Sequence, residues 1–160
     1  MYNENEDGVT HINVHEFGKT QIGRDLSNSA FSAITHPQLG EFSSVEGALF
    51  YYLTEQKNEI FRNLIFQAPQ KLAKNYIDLE NINFKNHVVF IQELILLKLI
   101  RNSPLKQQLI YNELPLTTYK PKNAPIWFKN TNLKEHISIF NEIESYKNEI
   151  NKKEWIFIEH

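Results

Sequence analysis

The chain has 160 residues, of which 41% are hydrophobic and 12% aromatic, and its formal net charge is -2. This length and apolar content suit one domain with a buried core. The sequence contains no cysteine, which excludes disulfides, thiolate metal sites and cysteine nucleophiles. The slightly negative charge argues against a generally basic surface that would coat nucleic acid.

The N-terminal residues 1–9 are acidic and polar, so we expect a flexible lead-in without the basic and apolar regions of a signal peptide. The longest apolar run, 88–100, is too short to cross a bilayer. We therefore expect a soluble, cytoplasmic protein with no membrane partner. One domain is expected over residues 10–150, followed by a C-terminal tail over 151–160.

The first third of the chain predicts a small β-element. Residues 10–14 alternate in the manner of a short strand. Residues 17–28 carry two glycines and several small polar side chains, which favours a loop. The segments 30–34 and 40–42 are then expected to pair as a hairpin.

Helices dominate the middle of the chain. Ser43 or Ser44 is expected to cap a helix that runs to about residue 56, and a second helix begins near Asn58. Pro69 is compatible with the first turn of a third helix, which reaches about residue 76. Residues 84–101 are apolar on nearly every face, which is typical of a central buried helix.

The last third predicts two more helices and a strand. Ser103 and Pro104 form an N-cap and first-turn pair for a helix ending near residue 111. Residues 114–119 are typical of an edge strand. A long amphipathic helix is expected from residue 132, with apolar side chains at helical spacing: Leu133, Ile137, Phe140, Ile143 and Ile150. The predicted fold class is α+β, predominantly helical, with a small β-element and a central buried helix.

Glu46 has both a structural and a functional interpretation. The run Ser-Ser-Val-Glu at 43–46 fits a capping box, in which the Glu46 side chain would turn back to the amide of Ser43. Alternatively, a carboxylate followed by aromatic side chains could lie in a pocket of low dielectric with a shifted pKa. Such a group can act as a general base or stabilise a developing cation.

The glycine-bearing segment before Glu46 offers polar candidates for a ligand site. Arg24 has the planar fork that suits phosphate. Ser27 and Asn28 could hold ribose hydroxyls, or could bond their own backbone in a turn. The six histidines show no metal-ligand spacing, so no metal site and no cofactor are expected. Lysines and aromatics between 119 and 134 could contact a phosphodiester backbone, although a solvated loop with core aromatics is the more common arrangement.

Several short motifs occur in the order seen in the NADAR (YbiA-like) family. Residues 26–28 (Leu-Ser-Asn) and 44–46 (Ser-Val-Glu) match two of its elements. Residues 68–72 (Ala-Pro-Gln-Lys-Leu) and 114–119 (Leu-Pro-Leu-Thr-Thr-Tyr) are similar to two later ones. The resemblance covers residues 10–147, and the chain looks most like the compact form found in large tailed phages.

The resemblance implies cleavage of an N-glycosidic bond. Members act on a ribosylated pyrimidine intermediate or remove ADP-ribose from guanine in DNA. The expected substrate here is therefore an ADP-ribose-like or NAD-derived nucleotide or an ADP-ribosylated nucleobase, with a nucleic acid as one carrier. The resemblance implies Glu46 as the catalytic residue and the following substrate-binding residues: Arg24, Ser27, Asn28, Lys71 and Tyr119.

The chain also departs from the family pattern. Ser29 follows Asn28 where members have phenylalanine, and the later Trp and Asp of typical enzymes have no clear counterparts. No residue is thus assigned to protonate the leaving group. The alternative is a non-catalytic protein that captures ADP-ribose-like nucleotides, and a third interpretation is an interaction protein whose helical faces bind a partner.

Overall fold

A computed structural model describes residues 2–145, with side chains described through residue 140. It is an α+β protein, about 47% helical. The α-helices are α1 (Gln21–Leu26), α2 (Val45–Leu53), α3 (Ala68–Ala73), α4 (Val88–Ile100), α5 (Ser103–Tyr111) and α6 (Lys134–Ser145). The strands are β1 (Ile12–Asn13), β2 (Ile34–His36), β3 (Gly40–Phe42) and β4 (Leu116–Thr117), and short 3₁₀ helices lie at Glu4–Glu6, Glu59–Asn63, Leu79–Asn81 and Phe84–His87.

The strands form two separate pairs in the described residues. β2 and β3 make the expected antiparallel hairpin, although β2 begins only at Ile34, later than predicted. β1 lies within the predicted strand at 10–14 and pairs in parallel with β4, Ile12 opposite Leu116. This pairing joins the beginning of the domain to its last third, and it places the loop after β1 beside the segment that follows β4.

The glycine-bearing segment is not a continuous loop, so that prediction is wrong for residues 21–26. The Thr20 hydroxyl accepts a hydrogen bond from the Gly23 amide and starts α1. A Cβ at position 23 would lie 2.3 Å from the Asn13 carbonyl oxygen, so glycine is required for this close approach. Gly23 therefore allows α1 to pack on β1, and does not mark a break in structure.

The helix that carries Glu46 is shorter than predicted. α2 ends at Leu53, and Glu55 and Gln56 adopt positive φ immediately after it. The second predicted helix, near Asn58, is only a 3₁₀ segment, and the Asn58 side chain caps it by accepting a hydrogen bond from the Ile60 amide. α3 has proline in its first turn, as expected, and ends at Ala73.

α4 is central but it is not buried on every face. Residues 84–87 form a 3₁₀ turn before it, and the helix packs on α2, α5, α6 and β2. Ile91 and Leu94 are fully buried, whereas Val89 is 77% and Leu96 42% exposed. Apolar composition predicted complete burial, but neighbouring elements cover only part of the helix surface.

The remaining elements follow the predictions closely. α5 is capped by the side chain of Asn102, one residue before the predicted Ser103, and Pro104 lies in its first turn. α6 begins at Lys134, and Ile137 and Phe140 are buried in the core. Ile150 and the predicted tail at 151–160 lie outside the described residues.

The N-terminal segment, expected to be flexible, contacts the domain. The buried Asp7 carboxylate accepts hydrogen bonds from the amides of Asn13 and Lys19. Asp7 thus holds the end of β1 and the loop that follows it. No helix in residues 2–145 combines the length and apolar character needed to cross a membrane.

Candidate functional site

Glu46 lies in the first turn of α2, and its side chain is only 1% exposed. The N-cap is Ser44, whose hydroxyl accepts a hydrogen bond from the Gly47 amide at 2.9 Å. The predicted capping box is therefore wrong, because Gly47 rather than Glu46 occupies the third helical position. The Glu46 side chain is not used to close its own helix.

Two distant segments hold the Glu46 carboxyl group. Gln70 Nε2 in α3 donates to Glu46 Oε1 at 3.1 Å, and the Thr131 hydroxyl donates to Glu46 Oε2 at 2.7 Å. Burial raises the pKa of Glu46 to about 8, although these two hydrogen bonds act in the opposite direction. The negative charge of Glu16 adds to the rise. Burial thus favours the protonated form of the carboxyl group, whereas the two hydrogen bonds favour the carboxylate.

Asn28 lies in the same network. Its carbonyl oxygen accepts from the Glu46 amide at 2.9 Å, and its Nδ2 donates to the Thr131 carbonyl oxygen and hydroxyl. Asn132 Oδ1 accepts from the Asn28 amide. The structure therefore brings together Asn28 and Glu46, two of the six positions nominated from the sequence.

A segment near the C-terminal helix covers Glu46. Gln70 forms a pair of hydrogen bonds with the Lys129 backbone: Gln70 Nε2 donates to Lys129 O at 2.6 Å, and Lys129 N donates to Gln70 Oε1 at 2.8 Å. Thr131 follows two residues later and is fully buried. Because Glu46 is only 1% exposed, a ligand can contact its carboxyl group only if surrounding residues move, and this cover, residues 129–131, is one of the segments that enclose it.

Glu16 is a second carboxylate of the site, and sequence analysis missed it. It follows β1, and its Oε2 accepts from Gln67 Nε2 at 3.2 Å. Burial raises its pKa, while interactions with Ser29 and Gln67 lower it. Its signal in the sequence is a polar residue in the loop that follows β1, since loops often carry functional side chains.

His15, next to Glu16, is a buried neutral imidazole. Its Nδ1 accepts from the Phe17 amide at 3.0 Å, so the ring hydrogen resides on Nε2. Burial lowers the pKa of His15 to about 4, with Lys120 adding to the effect. The buried Nε2 has no hydrogen-bond partner among the described residues, which leaves one donor unused.

Arg24 and Ser27 make mainly internal contacts. Arg24 Nη1 donates to the carbonyl oxygens of Gly18 and Lys19, and Nη2 donates to Gln21 Oε1. The Ser27 hydroxyl donates to the Arg24 carbonyl oxygen at 2.7 Å. These contacts fix the segment before Asn28, and the predicted roles of Arg24 and Ser27 in binding a substrate stay predictions.

Lys98 binds the same segment from α4. This residue of α4 is buried, and its Nζ donates to the Ser27 carbonyl oxygen at 2.7 Å. Burial lowers the pKa of Lys98 to about 7, against an opposing effect of Asp25. The contact ties the central helix to the residues that precede Asn28.

Lys71 and Tyr119 lie outside the network around Glu46. Lys71 is exposed on α3, with its Nζ 5.7 Å from the centre of the Trp127 ring. The Tyr119 hydroxyl forms a 2.6 Å hydrogen bond with His11 Nε2, and desolvation raises its pKa to about 12. No described hydrogen bond joins either residue to Glu46, so their substrate-binding roles stay predictions.

A surface cavity of about 660 Å³ lies in another part of the molecule. Its lining includes the ion pair between His36 and Glu93 and the adjacent rings of Tyr52 and Phe90. It does not include Glu46, so it is not the site predicted from the sequence. Among the side chains that the structure describes, residues 2–140, no group of three His, Asp or Glu is arranged to hold a metal ion.

No protein-family model, curated protein or solved structure matches the chain.

Proposed function

We propose that this protein is a hydrolase that cleaves an N-glycosidic bond of an ADP-ribosyl or related ribosyl substrate. The observation that carries the proposal is the buried Glu46 carboxyl group, held by Gln70 and Thr131 and directed away from its own helix cap. A carboxyl group confined in this way in a polar network is a common feature of acid–base sites.

The raised pKa of Glu46 changes the role expected from the sequence. Cleavage of a ribosyl C–N bond passes through an oxocarbenium-like state, and the departing base must accept a proton. A carboxyl group with a pKa of about 8 carries that proton at neutral pH. Glu46 therefore acts as the general acid, the role that remained unassigned on the sequence, rather than as a base.

The substrate class follows from the motif order. The Leu-Ser-Asn and Ser-Val-Glu elements resemble those of NADAR proteins, and Asn28 and Glu46 are neighbours in the fold. We propose an ADP-ribose-like nucleotide or an ADP-ribosylated nucleobase, free or in a nucleic acid, as the substrate. In this proposal Arg24 and Ser27 bind the sugar-phosphate part of the substrate. No cofactor takes part, and the reaction occurs in the cytoplasm.

The proposal is tested with purified protein, ADP-ribosylated guanine DNA and NAD-derived nucleotides. Chromatography of the products is expected to show release of the ribosyl group by the wild type. Loss of at least about 10²-fold in rate is expected for Glu46→Gln, which keeps the shape but cannot donate the carboxyl proton. Equal rates for the two proteins, or no release by the wild type, would refute the assignment.

Capture without hydrolysis is the second candidate function. The observation that favours it is the cover of residues 129–131, which leaves Glu46 only 1% exposed. Native mass spectrometry after long incubation with ADP-ribosylated nucleotides distinguishes the two functions. An intact retained nucleotide supports capture, whereas recovered cleavage products support the hydrolase.

A further inference from the structure

Two glutamines at the start of α3 each donate a hydrogen bond to a different carboxyl group. Gln67 is the N-cap of α3 and Gln70 lies three residues later, so their side chains project from the same face of the helix. Gln67 Nε2 donates to Glu16, and Gln70 Nε2 donates to Glu46. One helical turn thus positions Glu16 and Glu46 as neighbours.

Unused acceptors at this pair indicate a ligand. Glu16 Oε1 is buried and accepts no hydrogen bond of standard geometry among the described residues, although an interaction with the Ser29 side chain lowers the pKa of Glu16. Among the same residues Asn28 Oδ1 also accepts none, in a side chain that is 1% exposed and whose Nδ2 contacts the Thr131 hydroxyl that binds Glu46. Buried acceptors are nearly always satisfied, so these two atoms require donors such as water or sugar hydroxyls.

We propose that Glu16 is the second reacting carboxyl group of the site and activates the attacking water while Glu46 protonates the departing base. This inference rests on the proposed function and adds a residue to it. Glu16 is suited to the task because the residue is half-buried and therefore nearer to solvent than Glu46, which is 1% exposed.

The reaction consumes one water molecule. The ribosyl C1′–N bond breaks, its electron pair leaves with the base nitrogen, and that nitrogen takes the proton of Glu46. The water oxygen bonds to C1′, and its released proton moves to the Glu16 carboxylate. One proton still resides on the pair, and its transfer from Glu16 to Glu46 restores the starting state.

The electrostatic surroundings of the two carboxyl groups agree with Glu46 as the acid and Glu16 as the base. Burial raises the pKa of both groups, and the charge of Glu16 further raises the pKa of Glu46. A negative charge on Glu16 therefore favours the protonated form of Glu46, which is the form that the acid requires. The neighbouring titratable groups are His15, which is neutral because its pKa falls to about 4, and Lys120 beside it.

The first experiment measures the pair without requiring activity. Carbon-detected NMR of the Glu46 carboxyl group is followed against pH in the wild type, Glu16→Gln and the control Glu113→Gln, an exposed carboxylate. Glu16→Gln is expected to lower the pKa of Glu46, and Glu113→Gln to leave it unchanged. An unchanged pKa in Glu16→Gln would overturn the pairing.

The second experiment measures the pH profile of ribosyl release. We expect a bell-shaped profile for the wild type, a loss of about 10²-fold or more in kcat for Glu16→Gln, and partial recovery in Glu16→Asp. The acidic limb is expected to disappear in Glu16→Gln. Wild-type activity and profile in Glu16→Gln would reject the role of Glu16 and leave the proposed function intact, whereas an inactive wild type would reject both.

Discussion

The hydroxyl of Thr131 donates a 2.7 Å hydrogen bond to Glu46 Oε2, across 85 positions of the chain. Thr131 Oγ1 also lies 3.3 Å from Asn28 Nδ2, so one buried side chain joins both motif residues. Thr131 is therefore the link between the glycine-bearing segment, the start of α2 and the approach to α6.

Replacing Thr131 with valine tests this link. Thr131→Val keeps the shape but removes a donor to a buried carboxyl group and an acceptor for Asn28, so we expect a loss of about 1–3 kcal/mol in the free energy of unfolding. Urea denaturation at pH 8, where Glu46 is partly ionised, measures it. The control is Thr117→Val, a half-buried hydroxyl outside the network. Equal stabilities for both variants would contradict the assignment.

The ionisation of Glu46 predicts a specific dependence of stability on pH. Its folded pKa of about 8 exceeds the ordinary value of 4.5, so the folded state binds more protons between these values. The wild type must then lose stability as pH rises through this window, on the order of 3 kcal/mol between pH 5 and 7.5. Glu46→Gln lacks this loss.

The measurement is denaturant unfolding of both proteins across that window, with Glu113→Gln as the control. We expect the stability difference between wild type and Glu46→Gln to change steadily with pH. A constant difference from pH 5 to 8 would show that Glu46 ionises normally in the folded protein.

The lowered pKa of Lys98 predicts that its contribution to the free energy of unfolding increases with pH, opposite to that of Glu46. Its folded pKa of about 7 lies below the ordinary 10.5, so the unfolded state binds more protons between these values. The wild type should gain about 2 kcal/mol relative to Lys98→Met between pH 7 and 9. In Lys98→Met the Ser27 carbonyl oxygen still accepts a hydrogen bond from the Ala30 amide. The variant therefore leaves no buried carbonyl without a donor at this position.

Lys85→Met serves as the control for Lys98→Met, because Lys85 is exposed. Thermal unfolding at pH 7 and pH 9 compares the three proteins. If the difference in melting temperature between wild type and Lys98→Met were the same at pH 7 and pH 9, the result would contradict a buried lysine with a lowered pKa.

A side chain added at Gly47 is expected to clash with its neighbours at the start of α2. A Cβ at this position would lie 2.6 Å from the carbonyl oxygen of Phe61 and 3.1 Å from Ser44 Oγ. We expect Gly47→Ala to destabilise the protein by about 1–2 kcal/mol, because the clash exceeds the gain in helix propensity. An unchanged or higher melting temperature would show that the segment around Phe61 shifts to accommodate the added methyl group at little energetic cost.

Sequence patterns predicted the elements whose signals are local. The hairpin of β2 and β3, the proline-bearing starts of α3 and α5 and the position of Glu46 at a helix start all depend on neighbouring residues. α1 was missed because Gly23 resembles a loop signal, whereas its function is close approach to Asn13. Local pattern cannot distinguish these two uses of glycine.

The partners of Glu46 could not be predicted, because they come from distant parts of the chain. Gln70 and Thr131 lie 24 and 85 residues away, and Glu16 is recognised as a neighbour only when α3 is in place. The sequence therefore identified the carboxyl group but not its protonation state, which depends on burial that these segments create together.

The most direct test of the account is a crystal structure of Glu46→Gln with ADP-ribose. We predict that the cover of residues 129–131 moves and that the anomeric carbon of the terminal ribose lies within about 3–4 Å of the side chain at position 46. ADP-ribose bound elsewhere, for example in the cavity beside His36 and Phe90, with residues 129–131 still closed over position 46, would contradict it.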